Sequence, residues 1–151
     1  MGASAYLAGL QLLARRELSE IQIRQRLTRR GHQPDDIDAA VARLRQERAL
    51  DDRRVAMAIA HTQTRLRGRG RLRVRREIEA TGISSTLAQE AVDEVFADLD
   101  ADALLVAALE RRLHGRAVIA DDREFQRLFR YLTAQGFESD RVLTALRRTR
   151  G

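Results

Sequence analysis

Three glycines fix the plan of this chain. Gly31, Gly82 and Gly136 lie 51 and 54 residues apart, and the residues around them superimpose. Four and eight residues before each glycine stand Leu27 and Ile23, Ile78 and Val74, Leu132 and Leu128. Six and ten residues after come Ile37 and Val41, Ala88 and Val92, Val142 and Leu146. Apolar residues four apart on both sides of a glycine describe a helix, a stop and a second helix. At such a stop the backbone takes a positive φ just past the last helical residue, where only glycine escapes a Cβ penalty.

The helix starts agree with the stops. Ser19 with Gln22 reads as a capping box, and Pro34 suits a first helical turn, where its missing N–H has no intrahelical partner to lose. Ser84 and Ser85 are the capping candidates of the second repeat and Ser139 that of the third. Asp35 and Asp36 place negative charge at a helix's positive end. A further helical segment precedes each pair. Its apolar stripe is Tyr6, Leu10 and Leu13 over about 4–16, and Val55, Ile59, Thr62 and Leu66 over about 52–66. Over about 100–114 it is Leu105, Leu109 and Arg112.

No segment alternates at period two with β-branched residues, so no sheet is expected. The expectation is an all-α fold of nine helices, arranged as three tandem three-helix repeats over residues 1–49, 50–98 and 99–151. Modules of about 50 residues bury little surface alone and should stack as a short solenoid. The joints, near Arg48–Asp52 and Asp98–Asp100, are not rich in Gly, Ser or Pro, which points to closely coupled modules. His114–Asp121 fits either a helix extension or a loop.

Composition removes several function classes. Across 151 residues there is no cysteine, hence no disulfide framework and no thiolate metal site, as suits a reducing compartment. No apolar run reaches the roughly 18 residues of a membrane span. The opening Met1-Gly2-Ala3-Ser4 lacks the basic and apolar regions of a secretory leader. A soluble, cytoplasmic protein is expected. His32, His61 and His114 are scattered, none with a second ligand at metal spacing on its helical face, and read as surface or cap histidines. Asp51-Asp52 and Asp121-Asp122 each precede a helix and read as caps rather than acid dyads. Ser84-Ser85 has no base in view, and Gly68-x-Gly70 lacks the lysine and the preceding strand of a phosphate loop. No catalytic residue, metal ligand or cofactor is expected.

Charge is the informative feature. All 28 basic residues are arginine, against 22 acids, for a net charge of +6. Arg65, Arg67, Arg69, Arg71, Arg73, Arg75 and Arg76 fall within twelve residues that contain no acid. This stretch alone exceeds the net charge of the chain. The planar guanidinium suits phosphate and carboxylate. On a helix from about Arg71 to Ala80, Val74 and Ile78 face the core. Arg71 then shares one outer face with Arg75, and Arg73 another with Arg76. Like charges at that spacing repel unless something anionic neutralises them, so the seven arginines are the candidate partner-binding residues. Arg→Ala changes at Arg69, Arg73 and Arg76 are expected to weaken partner or DNA binding without lowering thermal stability. The run holds no aromatic residue, which favours phosphate contacts or a partner's carboxylates over base stacking. Phe125, Phe129, Tyr131 and Phe137 have the spacing of core and cap residues in the third repeat. The residues leave two readings open: a cationic strip for an acidic or polyanionic assembly, and sequence-tolerant DNA binding by helix-turn-helix-like modules.

Longer motifs add a resemblance. Leu12-Leu13-Ala14-Arg15-Arg16-Glu17-Leu18-Ser19 is followed by Leu27 and Gly31. Leu50-Asp51-Asp52-Arg53 with Ala56 leads through Arg67, Gly70 and Val74 to Glu77-Ile78 and Gly82-Ile83. Arg127 and Leu132 with Gly136-Phe137 close the series. In order and spacing these resemble the RecX family of bacterial regulatory proteins, modulators of the RecA recombinase, over almost the whole chain. Val55 stands where the family usually has Phe, Arg71 where Pro is common, and Thr81 where Lys is usual. The resemblance implies a monomeric, non-catalytic protein of three tandem three-helix repeats in an elongated, curved molecule. It further implies binding in the groove of RecA filaments on DNA, with suppression of ATP hydrolysis, strand exchange and repressor cleavage. Negative regulation of recombination and of the SOS response would follow. Single- and double-stranded DNA are implied as further partners, and no membrane.

Overall fold

The computed structural model describes residues 4–150; Met1–Ala3, where the segment read as lacking a leader begins, and Gly151 lie outside the described residues. The described residues form nine α-helices and no strand. They are α1 (Ala5–Arg15), α2 (Glu20–Arg29), α3 (Pro34–Gln46), α4 (Asp52–His61), α5 (Arg71–Glu79), α6 (Ser85–Ala97), α7 (Ala101–Leu113), α8 (Asp122–Ala134) and α9 (Ser139–Arg148). A π-helical turn, Thr62–Leu66, continues α4. The all-α expectation holds.

The glycine repeat is the skeleton of this order. Gly31, Gly82 and Gly136 have φ of 90°, 87° and 103°. At the first and third, the glycine N–H donates to the carbonyl three residues back (Thr28, Thr133). The next N–H, of His32 or Phe137, donates to the carbonyl five back (Leu27, Leu132). This double closure satisfies helix-end carbonyls that would otherwise lack partners. The apolar residues flanking each glycine are buried throughout, and Ile23, Leu27, Val74, Ile78, Leu132 and Val142 are fully enclosed.

The starts are capped largely as read. Ser19 closes a complete capping box with Gln22, and its hydroxyl also donates to the Thr81 carbonyl. Ser84 Oγ accepts from Leu87 N at 3.2 Å, and Asp121 Oδ1 from Glu124 N at 2.8 Å. Asp51 and Asp52 have different tasks. Asp51 Oδ1 accepts from Arg54 N at 3.2 Å within its own helix start. Asp52 reaches instead to the first turn of α2, accepting from Glu20 N at 2.8 Å. Ser139 is not a cap: it is the first residue of α9, whose N-cap Glu138 makes no side-chain capping bond.

The stripes of the leading helices need correction. In α1 the buried residues are Ala5, Ala8, Gly9 and Leu12, while Tyr6, Leu10 and Leu13 lie at the edge of the core. Small residues let α1 approach α3 closely; a Cβ on Gly9 would stand 2.8 Å from Leu44 Cδ1. The larger side chains flank this seam. Tyr6 is covered by the Arg43 guanidinium, 3.6 Å from its ring centroid. After α4 the π-helical turn adds a residue per turn and rotates the face. Thr64 becomes buried and Leu66, at 82 % exposure, points outward. In α7, Leu105 and Leu109 are buried as read, but Ala108 and Leu113 complete that face while Arg112 is exposed.

The described chain divides into two compact units. One comprises residues up to Ala58 with Ile78–Ala91, the other Ile59–Glu77 with residues from Val92 onward. In the first, Leu12, Leu18, Ile23, Leu27, Val41 and Leu44 form a continuous core. In the second, Leu105, Leu109, Leu128, Leu132, Phe137 and Leu146 do so, with Phe125, Phe129 and Tyr131 packed against them. His114–Asp121 is a loop. His114 ends α7 in the left-handed region at φ 52°, and buried Ile119 pins the segment, its N–H donating to Thr149 O at 3.0 Å.

Candidate functional site

The arginine run spans three local structures. Arg65 belongs to the π-helical turn, Arg67 and Arg69 to the loop after it, and the other four to α5. Arg67 N–H donates to Thr62 O at 3.3 Å, the five-residue step of a π turn. The Thr64 hydroxyl, 2 % exposed, donates back to Ala60 O at 2.8 Å and is satisfied inside, whereas His61 Nδ1 and Arg69 Nε are buried without a hydrogen-bond partner among the described residues. Gly68 turns the chain at φ 60°.

Gly70 then docks the start of α5 onto the end of α8. Gly70 N–H donates to Gln135 O at 3.0 Å, and Leu72 N–H to Gly136 O at 3.1 Å. The Arg73 guanidinium adds a third donor, to Ala134 O at 3.0 Å. Free N–H groups of one helix start thereby satisfy free carbonyls of another helix end. The approach is possible because both residues lack a Cβ; one on Gly70 would lie 2.6 Å from the carbonyl carbon and oxygen of Gly136.

This docking sorts the seven arginines. Arg69 Nη1 donates to Gln63 Oε1 at 2.9 Å and lies 3.8 Å from Glu77 Oε1, its side chain 17 % exposed. Arg71 pairs with Asp93 at 2.6 Å and lies over the Phe96 ring. Arg73 pairs with Glu77 at 2.7 Å in addition to its bond to Ala134 O. Arg75 is half-buried. Arg65, Arg67 and Arg76 are exposed and have no ion-pair partner among the described residues. The run contains no acid, yet Glu77, one residue past its end, and Asp93 on α6 neutralise its middle. The cations available to a partner are therefore at its two ends, with Leu66 projecting between Arg65 and Arg67.

Sequence reasoning missed one contributor. The Arg111 guanidinium of α7 lies over Gly68, 3.1 Å from where a Cβ would stand. An arginine pair ending a helix more than forty residues away carries no local signal of that proximity. Elsewhere, among the described residues, no group of three or more His, Asp or Glu side chains is placed to hold a metal ion. No described helix is long and apolar enough to cross a membrane.

Comparison with known proteins places this geometry in a family. Residues 5–44 match the first three-helix domain of RecX, and residues 51–92 the second. Regulatory protein RecX of Halorhodospira halophila is 36 % identical over 91 % of this chain and 83 % of its own length. That of Syntrophotalea carbinolica is 31 % identical over 89 % of each. In fold, the crystal structure of RecX from Lactobacillus salivarius superimposes with a TM-score of 0.83 at 16 % identity, over 96 % of this chain and 94 % of that one.

Proposed function

The chain belongs to the RecX family of regulatory proteins, and we propose that it acts as a non-catalytic, negative regulator of a RecA-type recombinase filament on DNA. In this reading the monomer works in the cytoplasm as three modules, residues 1–49, 50–98 and 99–151, and binds in the groove of the filament. By contacting several filament subunits in one arrangement it favours that arrangement, and a ligand shifts an equilibrium only through such differential contacts. ATP hydrolysis, strand exchange and repressor cleavage are the filament activities that it suppresses.

The observation that carries this reading is the outward pair Arg65 and Arg67, flanking exposed Leu66 on the π-helical turn. Two guanidiniums without internal partners are poised for carboxylates or phosphates. A filament on DNA offers both. Of the seven candidate arginines, Arg65, Arg67 and Arg76 act directly on the partner. Arg69, Arg71, Arg73 and Arg75 hold the segment in shape. The test is ATP turnover by recombinase assembled on single-stranded DNA. Substoichiometric protein should lower it, and unchanged turnover at stoichiometric excess contradicts the proposal.

A second reading, binding to DNA directly and without sequence preference, is favoured by the same unpaired arginines. It requires an affinity for single- or double-stranded DNA that falls steeply with salt as neutralised phosphates release counterions. Binding that is absent, or indifferent to salt, removes it.

A further inference from the structure

The end of α7 and the start of α8 carry a second group of arginines outside the run. Arg112 lies over the Tyr131 ring, its guanidinium carbon 3.7 Å from the centroid, and has no ion-pair partner among the described residues. Arg116 donates through Nη2 to Glu124 Oε2 at 2.9 Å and through Nε to Leu113 O at 3.1 Å. Arg127 stands 3.8 Å from the same Glu124 oxygen, with most of its side chain exposed. The other Glu124 oxygen accepts from Ala120 N at 3.3 Å. These groups, with His114 and Leu128, line an open cleft of about 400 Å³.

The cleft has an excess of positive charge that its own residues leave unmatched. Three guanidiniums face one carboxylate, and that carboxylate is committed to fixing Arg116 and the Ala120 amide. Stacking holds the Arg112 plane without consuming its N–H donors, so they stand pre-oriented at the cleft. A concave cationic wall concentrates potential more than a flat one. The preceding residue, Arg111, reaches to Gly68 in the loop of the run. One turn of α7 thus carries both a cleft arginine and the arginine that lies over Gly68.

We propose that the cleft binds the phosphodiester backbone of a nucleic-acid strand, continuing the cationic surface that begins at Arg65 and Arg67. An extended polyanion with regularly spaced charges can occupy both places at once, which a single small anion cannot. The fixed guanidinium edges fit phosphate oxygens, and Leu128 with the Tyr131 ring offers an apolar floor to a sugar. This rests on the reading that the partner of the chain carries DNA.

The test is fluorescence anisotropy with a labelled single-stranded oligonucleotide over a salt series, in the absence of recombinase. The pair Arg112→Ala/Arg127→Ala should weaken binding about tenfold near 0.1 M salt and make the salt dependence shallower by about one to two in logarithmic slope. The pair Arg15→Ala/Arg29→Ala removes the same charge at exposed positions elsewhere and should change affinity about twofold at most. A cleft pair that behaves like this control overturns the proposal. So does displacement of the oligonucleotide by a few millimolar inorganic phosphate, the mark of an isolated anion site. A defect seen only against assembled recombinase, never on bare DNA, overturns it in favour of an acidic protein surface. Should the cleft pair not fold, Arg127→Glu alone supplies the test, because that side chain is largely in solvent. The pair Arg65→Ala/Arg67→Ala, run in parallel, separates the two proposals. Loss at both places is the result expected; loss there without loss at the cleft defeats this inference and spares the function proposed above, and loss at the cleft alone defeats the continuity of the two places.

Discussion

At Gly31 an added Cβ would meet nothing within 4 Å, whereas at Gly136 it would fall 2.3 Å from Arg73 Cβ and 2.4 Å from Arg73 N. The two glycines hold equivalent places in the repeat, and both close a helix with the same pair of hydrogen bonds. Gly82 is intermediate, its Cβ position 2.9 Å from side-chain atoms of Ile21. A sequence repeat therefore identifies where the backbone must turn left-handed, and is silent on what is pressed against the turn. Gly136 has two reasons to be glycine and Gly31 has one.

Substitution by alanine should expose that difference. Gly136→Ala is expected to cost about 3–4 kcal/mol, since left-handed strain of about 1–2 kcal/mol adds to an overlap with backbone that cannot yield. Gly82→Ala should cost about 2 kcal/mol, because Ile21 is a half-exposed side chain and can move aside. Gly31→Ala should cost about 1 kcal/mol, the backbone strain alone. Urea unfolding of the three variants ranks them, and equal losses at all three sites would break the comparison.

The same division runs through the arginines. Arg73→Ala removes an ion pair and a charged bond to Ala134 O, with an expected loss of about 1–2 kcal/mol. Arg76→Ala should stay within about 0.5 kcal/mol, as for an exposed residue without partners. Thermal or chemical unfolding of the two variants measures the contrast, and equal stability would dissolve it. The sequence-based expectation that Arg69, Arg73 and Arg76 are alike dispensable for stability is thus sharpened to Arg76.

Two carboxylates offer a smaller, signed contrast. The Arg116 guanidinium, outweighing burial, holds Glu124 below the usual carboxylate range. Its stabilising contribution is present above the unfolded value of about 4 and is lost as pH falls through the lower folded value. Burial pushes Asp52 above its usual range despite the Glu20 amide. Its contribution therefore grows as pH falls from neutral through the folded value. Glu124→Gln should flatten the acid side of the stability profile. Asp52→Asn, which keeps an acceptor for Glu20 N–H, should leave stability at pH 7 unchanged or raised. Denaturant midpoints between pH 3 and 7, taken in about unit steps, give both signs.

Most of the fold was legible because helix periodicity and glycine stops are local signals. Spacing alone places the residues flanking Gly31, Gly82 and Gly136 in the core, and the Ser-x-x-Gln spacing places the capping box at Ser19. What escaped was non-local or irregular. Periodicity of 3.6 carried the stripe of α4 through to Leu66, but a π-helical turn has a different step, and Leu66 emerged at the surface. Gly68 and Gly70 carry no local sign of what they touch, because the partner of Gly70 lies over sixty residues away at Gly136. The division of the arginine run had the same origin. Asp93 and Ala134, which engage Arg71 and Arg73, are distant in sequence, while Glu77 stands just outside the acid-free stretch.

The most direct test compares Arg65→Ala/Arg67→Ala with the unaltered chain as inhibitors of ATP turnover by recombinase assembled on single-stranded DNA. An unfolding midpoint unchanged to within about 0.5 kcal/mol, together with roughly tenfold weaker inhibition, is the result expected if these two cations meet the filament. Undiminished inhibition by the well-folded double variant would contradict it.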